Sequence, residues 1–131
     1  MGTLLLLADE EAAPEARAVF DDIRAKRNTD YVNNFWRALA HDPAQLRAVW
    51  EKVQAVMAPG ALDPLVKELA YIAVSVTNGC GYCVHSHTAA ARTKGMTPEI
   101  HAELLAVIAL AMQTNALATA MGVEVDERFR A

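Results

Sequence analysis

Two cysteines and a histidine are spaced so that one face of a helix would carry all three. They are Cys80, Cys83 and His87, and residues three and four apart are neighbours along a helix. A helix beginning near Gly81 places Cys80 at its N-terminus, where free N–H groups and the helix dipole favour a thiolate. His87 could take a thiol proton or pair with the thiolate. Because Cα atoms three residues apart on a helix are within disulfide range, the pattern predicts reversible thiol redox chemistry.

A carboxylate in the most apolar segment of the chain is the fourth candidate. Glu68 shares its helical face with Ile72 and Ser75. If that face is directed to the core, burial should raise the pKa of the carboxyl group, which would then serve the thiols as a proton shuttle. The alternative is a surface glutamate paired with Lys67 or with a residue of another subunit.

The cysteine pair is compatible with two other interpretations. Two thiolates and an imidazole are a partial zinc set, but the sequence has no second cluster to supply a fourth ligand. Two buried, unreactive cysteines are the remaining interpretation. Near the pair, His85 lies off the face of Cys83 and is expected at the surface or at a subunit contact. Tyr82 either places a hydroxyl near the thiols or simply packs.

Composition predicts an all-α fold in a compact, single-domain helical bundle spanning residues 1–131. The 131 residues include 26 alanines but only eight aromatic side chains, a balance that favours helices over strands. Turn signals predict helices at about 14–26, 32–40, 43–58, 65–77, 80–94 and 97–121. Asp42 and Asp63 are the expected caps, and residues 78–79 are the expected left-handed stop of the fourth helix. A net charge of −4 argues against nucleic acid as a partner.

Two of the expected helices have little polar surface. Residues 65–76 are apolar at most positions, and residues 104–112 are apolar without interruption. A helix that is hydrophobic on every side is expected to be buried on every side. One interpretation is a central helix in a compact bundle. The other is that subunits pack against it, which predicts a homo-oligomer.

No segment is expected to enter a membrane. The longest uninterrupted apolar run, residues 104–112, is too short to span a bilayer. The run at residues 4–7 lacks a preceding basic residue and is followed by acidic residues, unlike a signal peptide. The expectation is therefore a soluble, cytoplasmic protein.

Taken together, the candidate residues form a recognisable pattern. The pattern consists of Glu68, Cys80, Cys83 and His87, with eleven, two and three residues between them. It resembles the signature of the alkylhydroperoxidase D-like group of the carboxymuconolactone decarboxylase superfamily. Residues 78–87 look typical of its small single-domain members, and the resemblance covers about residues 43–112. It implies an all-helical fold of the alkylhydroperoxidase D-like type that assembles into dimers, trimers or hexamers, with a trimer or hexamer preferred here.

The resemblance also implies an activity and a role for each residue. Redox members of the group reduce peroxides through the cysteine pair, so Cys83 would be the peroxidatic thiol and Cys80 the resolving thiol. Glu68 and His87 would form the proton relay. The sequence departs from the best-studied peroxidases at Tyr82, where they have a histidine, and the chain is shorter than the two-repeat type.

The predicted function is a thiol-dependent peroxidase or disulfide oxidoreductase. No bound cofactor is required, because the cysteines carry the electrons. The substrate would be a peroxide or a disulfide, and the reductant a protein or a small thiol. The alternatives are a decarboxylase acting on a small lactone acid, whose known members lack the cysteine pair, and a non-enzymatic zinc-binding or scaffold protein.

Overall fold

Six α-helices and one 3₁₀ turn form the regular structure of residues 2–130, which are the residues that the computed structural model describes. They are α1 (Pro14–Arg27), α2 (Asn34–Leu39), α3 (Pro43–Met57), α4 (Pro64–Thr77), α5 (Gly81–Thr93), α6 (Pro98–Met121) and the 3₁₀ turn Glu127–Phe129. This part of the chain has no strand. The all-α fold class is confirmed.

Local capping signals fix the starts of the helices. The Asp42 carboxylate accepts a hydrogen bond from a backbone N–H of α3 at 3.0 Å, and the Asp63 carboxylate accepts one from α4 at 2.8 Å. Both predicted caps are confirmed, and a proline opens each helix. The second helix is shorter than the predicted 32–40, because Asn33 is its extended N-cap and Val32 lies buried before it.

The chain divides into two compact units, residues 1–58 and 59–131. The first contains α1, α2 and α3 around an apolar core. Its buried members are Ala12, Ala16, Val19, Phe20, Ile23, Val32, Trp36, Ala40, Leu46 and Trp50. The predicted single domain over residues 1–131 stays a prediction.

The second unit contains α4, α5 and α6, and its α4 and α5 pack closely against each other. Its small core consists of Ile72, Ala91, Met96 and Ile108. The α4 residues that this packing buries are Glu68, Ile72 and Ser75. The face predicted from their spacing is therefore confirmed, and it places a carboxylate inside the unit.

Among residues 2–130, the two most apolar helices are not enclosed, contrary to the central-helix interpretation. Ile108 is the single buried residue of α6, and Val74 of α4 is 60% exposed. Large apolar side chains of α6 that remain exposed are Leu105, Val107, Leu110, Met112, Leu117 and Met121. The interpretation is wrong because residues 2–130 provide too few neighbours to cover a 24-residue helix.

By length and composition, α6 also meets the criteria for a helix that could cross a membrane, with a mean hydropathy of 1.7 over an 18-residue window. The expectation that no segment is long enough is corrected accordingly. That expectation considers only the uninterrupted apolar run. Gln113, Thr114 and Asn115 end this run, but they carry no charge, so α6 as a whole remains apolar. A single helix of this kind is weak evidence for a membrane span.

Candidate functional site

The turn between α4 and α5 places the first cysteine at a helix start. Gly79 has a φ of +69°, the left-handed conformation that glycine adopts without steric cost. The Cys80 N–H then donates to the Ser75 carbonyl at 3.0 Å, which closes the end of α4. The predicted stop at residues 78–79 is confirmed, and Cys80 becomes the N-cap of α5.

The two cysteines are joined by a disulfide. Cys80 and Cys83 have Cα atoms 5.3 Å apart, within the range that disulfides tolerate. The Cys80 sulfur also accepts a hydrogen bond from the Cys83 N–H at 3.2 Å. Both residues are partly exposed, so the interpretation as buried, unreactive cysteines is wrong. The pair lies where an external reactant could reach it.

Glu68 and His87 meet across the interface between α4 and α5. The His87 Nδ1 lies 2.7 Å from the Glu68 Oε2. Glu68 is only 3% exposed, so the alternative of a surface glutamate is wrong. The contact joins residues 19 positions apart in the chain. It therefore depends on the packing of the two helices.

Two residues that the sequence analysis did not single out complete this cluster. The Lys94 ammonium donates to the Glu68 Oε1, and the Tyr71 ring stacks on the His87 ring with centroids 3.6 Å apart. Both had a signal in the sequence. Lys94 follows His87 by seven residues, two helical turns along one face, and Tyr71 follows Glu68 by three.

The charge state of Glu68 is opposite to the expectation. Burial raises the pKa of this carboxyl group, but hydrogen bonds and charges from His87 and Lys94 outweigh it, so the pKa lies below its ordinary value of 4.5. The predicted rise in the pKa is wrong, because that prediction includes the apolar surroundings of Glu68 but not His87 and Lys94. At neutral pH Glu68 is therefore an anion that accepts hydrogen bonds, and it has no proton of its own to donate.

The ionised carboxylate determines the tautomer of His87. A carboxylate only accepts hydrogen bonds, so Nδ1 must carry the proton that lies between His87 and Glu68. In the neutral ring Nε2 is then the proton acceptor. His87 lies one turn after Cys83, although within residues 2–130 no hydrogen bond joins the imidazole to either sulfur of the disulfide. Helical spacing alone relates the Glu68–His87 pair to the cysteines.

The other candidates lie outside the cluster. His85 is exposed and its Nδ1 lies 2.8 Å from the Gly81 carbonyl oxygen, so its expected surface position is confirmed. Tyr82 is also exposed. Within residues 2–130, no three histidine, cysteine or acidic side chains are grouped so that they could hold a metal ion. The donors therefore do not form the set of four that a structural zinc site uses.

The lowered pKa of Glu68 predicts a pH-dependent contribution to stability. A carboxyl group with a depressed pKa in the folded state stabilises the protein above its unfolded pKa, and this stability is lost as the pH falls through the folded pKa. Between about pH 5 and pH 3, we expect the free energy of unfolding of the wild type to fall more steeply than that of Glu68→Gln.

Urea denaturation across this pH range measures the effect. Glu51→Gln, at an exposed position of α3, is the matched control and should keep the steep wild-type dependence. Parallel curves for the wild type and Glu68→Gln would contradict the assignment of an ionised Glu68.

Comparison with known proteins places this site in a family. The model of the carboxymuconolactone decarboxylase family matches residues 43–124. The chain belongs to this family. The matched segment runs from α3 to beyond α6 and includes Glu68, Cys80, Cys83, His87 and Lys94. The resemblance identified from the residue pattern is therefore confirmed.

One solved structure is similar to this chain in both fold and sequence. The chain is similar to the alkylhydroperoxidase AhpD core from Rhodospirillum rubrum, with 61% identity and a TM-score of 0.96. The similarity covers 100% of this chain and 98% of that one. The fold class of the alkylhydroperoxidase D-like type is thus confirmed.

Curated relatives are longer. The alkyl hydroperoxide reductase AhpD of Solibacter usitatus is 40% identical over 84 residues, which are 64% of this chain and 42% of that protein. The AhpD of Maricaulis maris is 34% identical over 82 residues, with coverage of 63% and 42%. The matches thus span less than half the length of these two relatives.

Proposed function

We propose that this protein is a thiol-dependent peroxidase or disulfide oxidoreductase whose electrons come from Cys80 and Cys83. The observation that carries the proposal is the partly exposed disulfide at the start of α5, one turn before a histidine that contacts a buried carboxylate. The names of the similar proteins, alkyl hydroperoxide reductase and alkylhydroperoxidase, favour a peroxide as the substrate.

The first chemical step reduces the peroxide at one sulfur. Neutral His87 takes the Cys83 proton on Nε2, and the resulting thiolate attacks the terminal peroxide oxygen. The O–O bond breaks, and the alcohol leaves with the proton that the imidazolium returns. Cys83 becomes a sulfenic acid, oxidised by two electrons. Glu68 orients the imidazole and stabilises its transient positive charge.

The second step forms the disulfide. Cys80, as the resolving thiol, attacks the sulfenic sulfur of Cys83, the S–S bond forms, and hydroxide leaves as water with the Cys80 proton. The two steps convert one peroxide and two thiols into one alcohol, one water and one disulfide. The close Cα atoms allow this without a large backbone movement.

An external thiol must then restore the reduced pair. Thiol–disulfide exchange with a dithiol protein or a small thiol reduces Cys80 and Cys83 and oxidises that partner. The chain requires no bound cofactor for this cycle. We place the protein in the cytoplasm, because a reducing compartment supplies such thiols.

Peroxide consumption in the presence of a small dithiol tests the proposal. Wild-type protein should consume an organic hydroperoxide catalytically, and a Cys80→Ser/Cys83→Ser double variant should not. The family name supports a second candidate, a decarboxylase acting on a small lactone acid. Decarboxylation that persists in the double variant, without peroxide turnover in the wild type, would favour that candidate and overturn the proposal.

We further propose that the chain is a homo-oligomer. Exposed apolar residues of α4 and α6 are typical of an interaction surface. A second copy of the same chain can bury them against an apolar face of the same kind. We expect light scattering to give three or six times the 14.2 kDa of one chain. A stable monomer at micromolar concentration would contradict this expectation.

A further inference from the structure

The buried carboxylate of Glu68 has a cationic or proton-donating partner on each oxygen. His87 contacts Oε2 at 2.7 Å and the Lys94 ammonium contacts Oε1. The proposed mechanism gives tasks to Glu68 and His87 but none to Lys94. An ionised carboxylate is costly to bury unless it is paired. The positive charge of Lys94 therefore favours the ionised form of Glu68.

Loss of the lysine would leave the buried carboxylate with one partner. In one outcome, Glu68 binds a proton and its O–H donates a hydrogen bond to Nδ1, so the His87 proton must move to Nε2. In the other, His87 holds protons on both nitrogens and balances the carboxylate as an imidazolium. In both cases Nε2 no longer has a free electron pair to accept a thiol proton.

The backbone fixes Lys94 at this point. It is the C-cap residue of α5, and its N–H donates to the Ala90 and Ala91 carbonyls at 3.2 and 3.0 Å. The next residue, Gly95, has a φ of +101° that ends the helix. The Lys94 side chain is 34% exposed and its ammonium contacts Glu68, so the residue reaches the buried carboxylate while it keeps contact with water.

We propose that Lys94 is a positioning residue that keeps Glu68 ionised and thereby keeps the His87 proton on Nδ1. Nε2 is then the nitrogen available to the cysteine thiols. Lys94 acts through Glu68 and His87 and does not touch the reacting sulfur atoms in this account. The consequence for peroxide chemistry rests on the proposed function, whereas the consequence for the tautomer does not.

The tautomer is tested by ¹⁵N NMR of the His87 imidazole in the protein without peroxide. We expect the wild type at neutral pH to have a protonated Nδ1 and an unprotonated Nε2. Lys94→Met should lose this signature, Lys94→Arg should restore it, and Lys52→Met, at an exposed position of α3, should leave it unchanged. If Lys94→Met does not fold, Lys94→Gln removes the charge but retains a hydrogen-bond donor.

Kinetics provide the second measurement. Lys94→Met should slow the first reaction of the reduced protein with peroxide by roughly 10- to 100-fold, by analogy with the outer partners that orient metal-binding histidines. Lys94→Arg should recover most of the rate. In a Glu68→Gln background, Lys94→Met should have no further effect, because the charge that it supports is already absent.

The outcomes separate this inference from the proposed function. An unchanged His87 signature in the uncharged lysine variant would overturn the role of Lys94, whatever the activity. Equal slowing in both backgrounds would also overturn it, since Lys94 would then act independently of Glu68. A protein with the expected tautomers but no peroxide reaction would support the positioning role and contradict the peroxidase.

Discussion

Replacing Cys83 with serine is expected to abolish the first reaction with peroxide, whereas Cys80→Ser should still react once. Cys83 has His87 one turn away on the same helix, so a proton acceptor is available in the step that forms the thiolate. In Cys80→Ser the sulfenic acid on Cys83 should accumulate, because no second thiol is present to condense with it. His87→Ala should slow this first step while leaving both thiols in place.

Single-turnover kinetics with a sulfenic-acid trap distinguish the two cysteines. The trapped adduct should appear on Cys83 in the Cys80→Ser protein and be absent from the Cys83→Ser protein. An adduct on Cys80 in Cys83→Ser would reverse the assignment. In that case the N-terminus of α5, where Cys80 is the N-cap, would be what stabilises the attacking thiolate.

Glu68→Gln is expected to lower the rate of the first step by roughly 100- to 10,000-fold, the range for loss of general acid–base catalysis. Glutamine has a similar shape and still accepts a hydrogen bond, but it has no charge to stabilise the His87 imidazolium. Its amide can also donate to Nδ1, which would place the proton on Nε2. The thiols and the fold should be retained.

Stopped-flow rates over the neutral pH range measure this effect. Glu51→Gln serves as the control for an exposed glutamate and should react at the wild-type rate. An unchanged rate in Glu68→Gln across that range would demonstrate that the buried carboxylate has a structural role only.

Features encoded within a few residues were predicted well. The caps at Asp42 and Asp63 and the left-handed turn at Gly79 depend on neighbours in the chain, so the sequence pattern predicts them directly. The burial of Glu68 was also predicted, as an open alternative, because Ile72 and Ser75 define the same face of α4.

Features that depend on contacts between helices were missed or given the wrong sign. The Glu68 contacts with His87 and Lys94 span 19 and 26 residues, and helical spacing within α4 contains no information about them. Without these two partners, an apolar environment implies a raised pKa, and with them the pKa is lowered. The exposure of α6 was missed for a related reason, since apolar composition does not specify which neighbour covers a helix.

In the proposed function, the cysteine pair of one chain reduces a peroxide by two electrons. The most direct test mixes pre-reduced protein with one equivalent of an organic hydroperoxide in a stopped-flow instrument and then analyses the product by mass spectrometry. We expect loss of the peroxide and a protein two hydrogen atoms lighter, with Cys80 and Cys83 joined within the same chain. Unconsumed peroxide, or peroxide loss that leaves both thiols reduced, would contradict it.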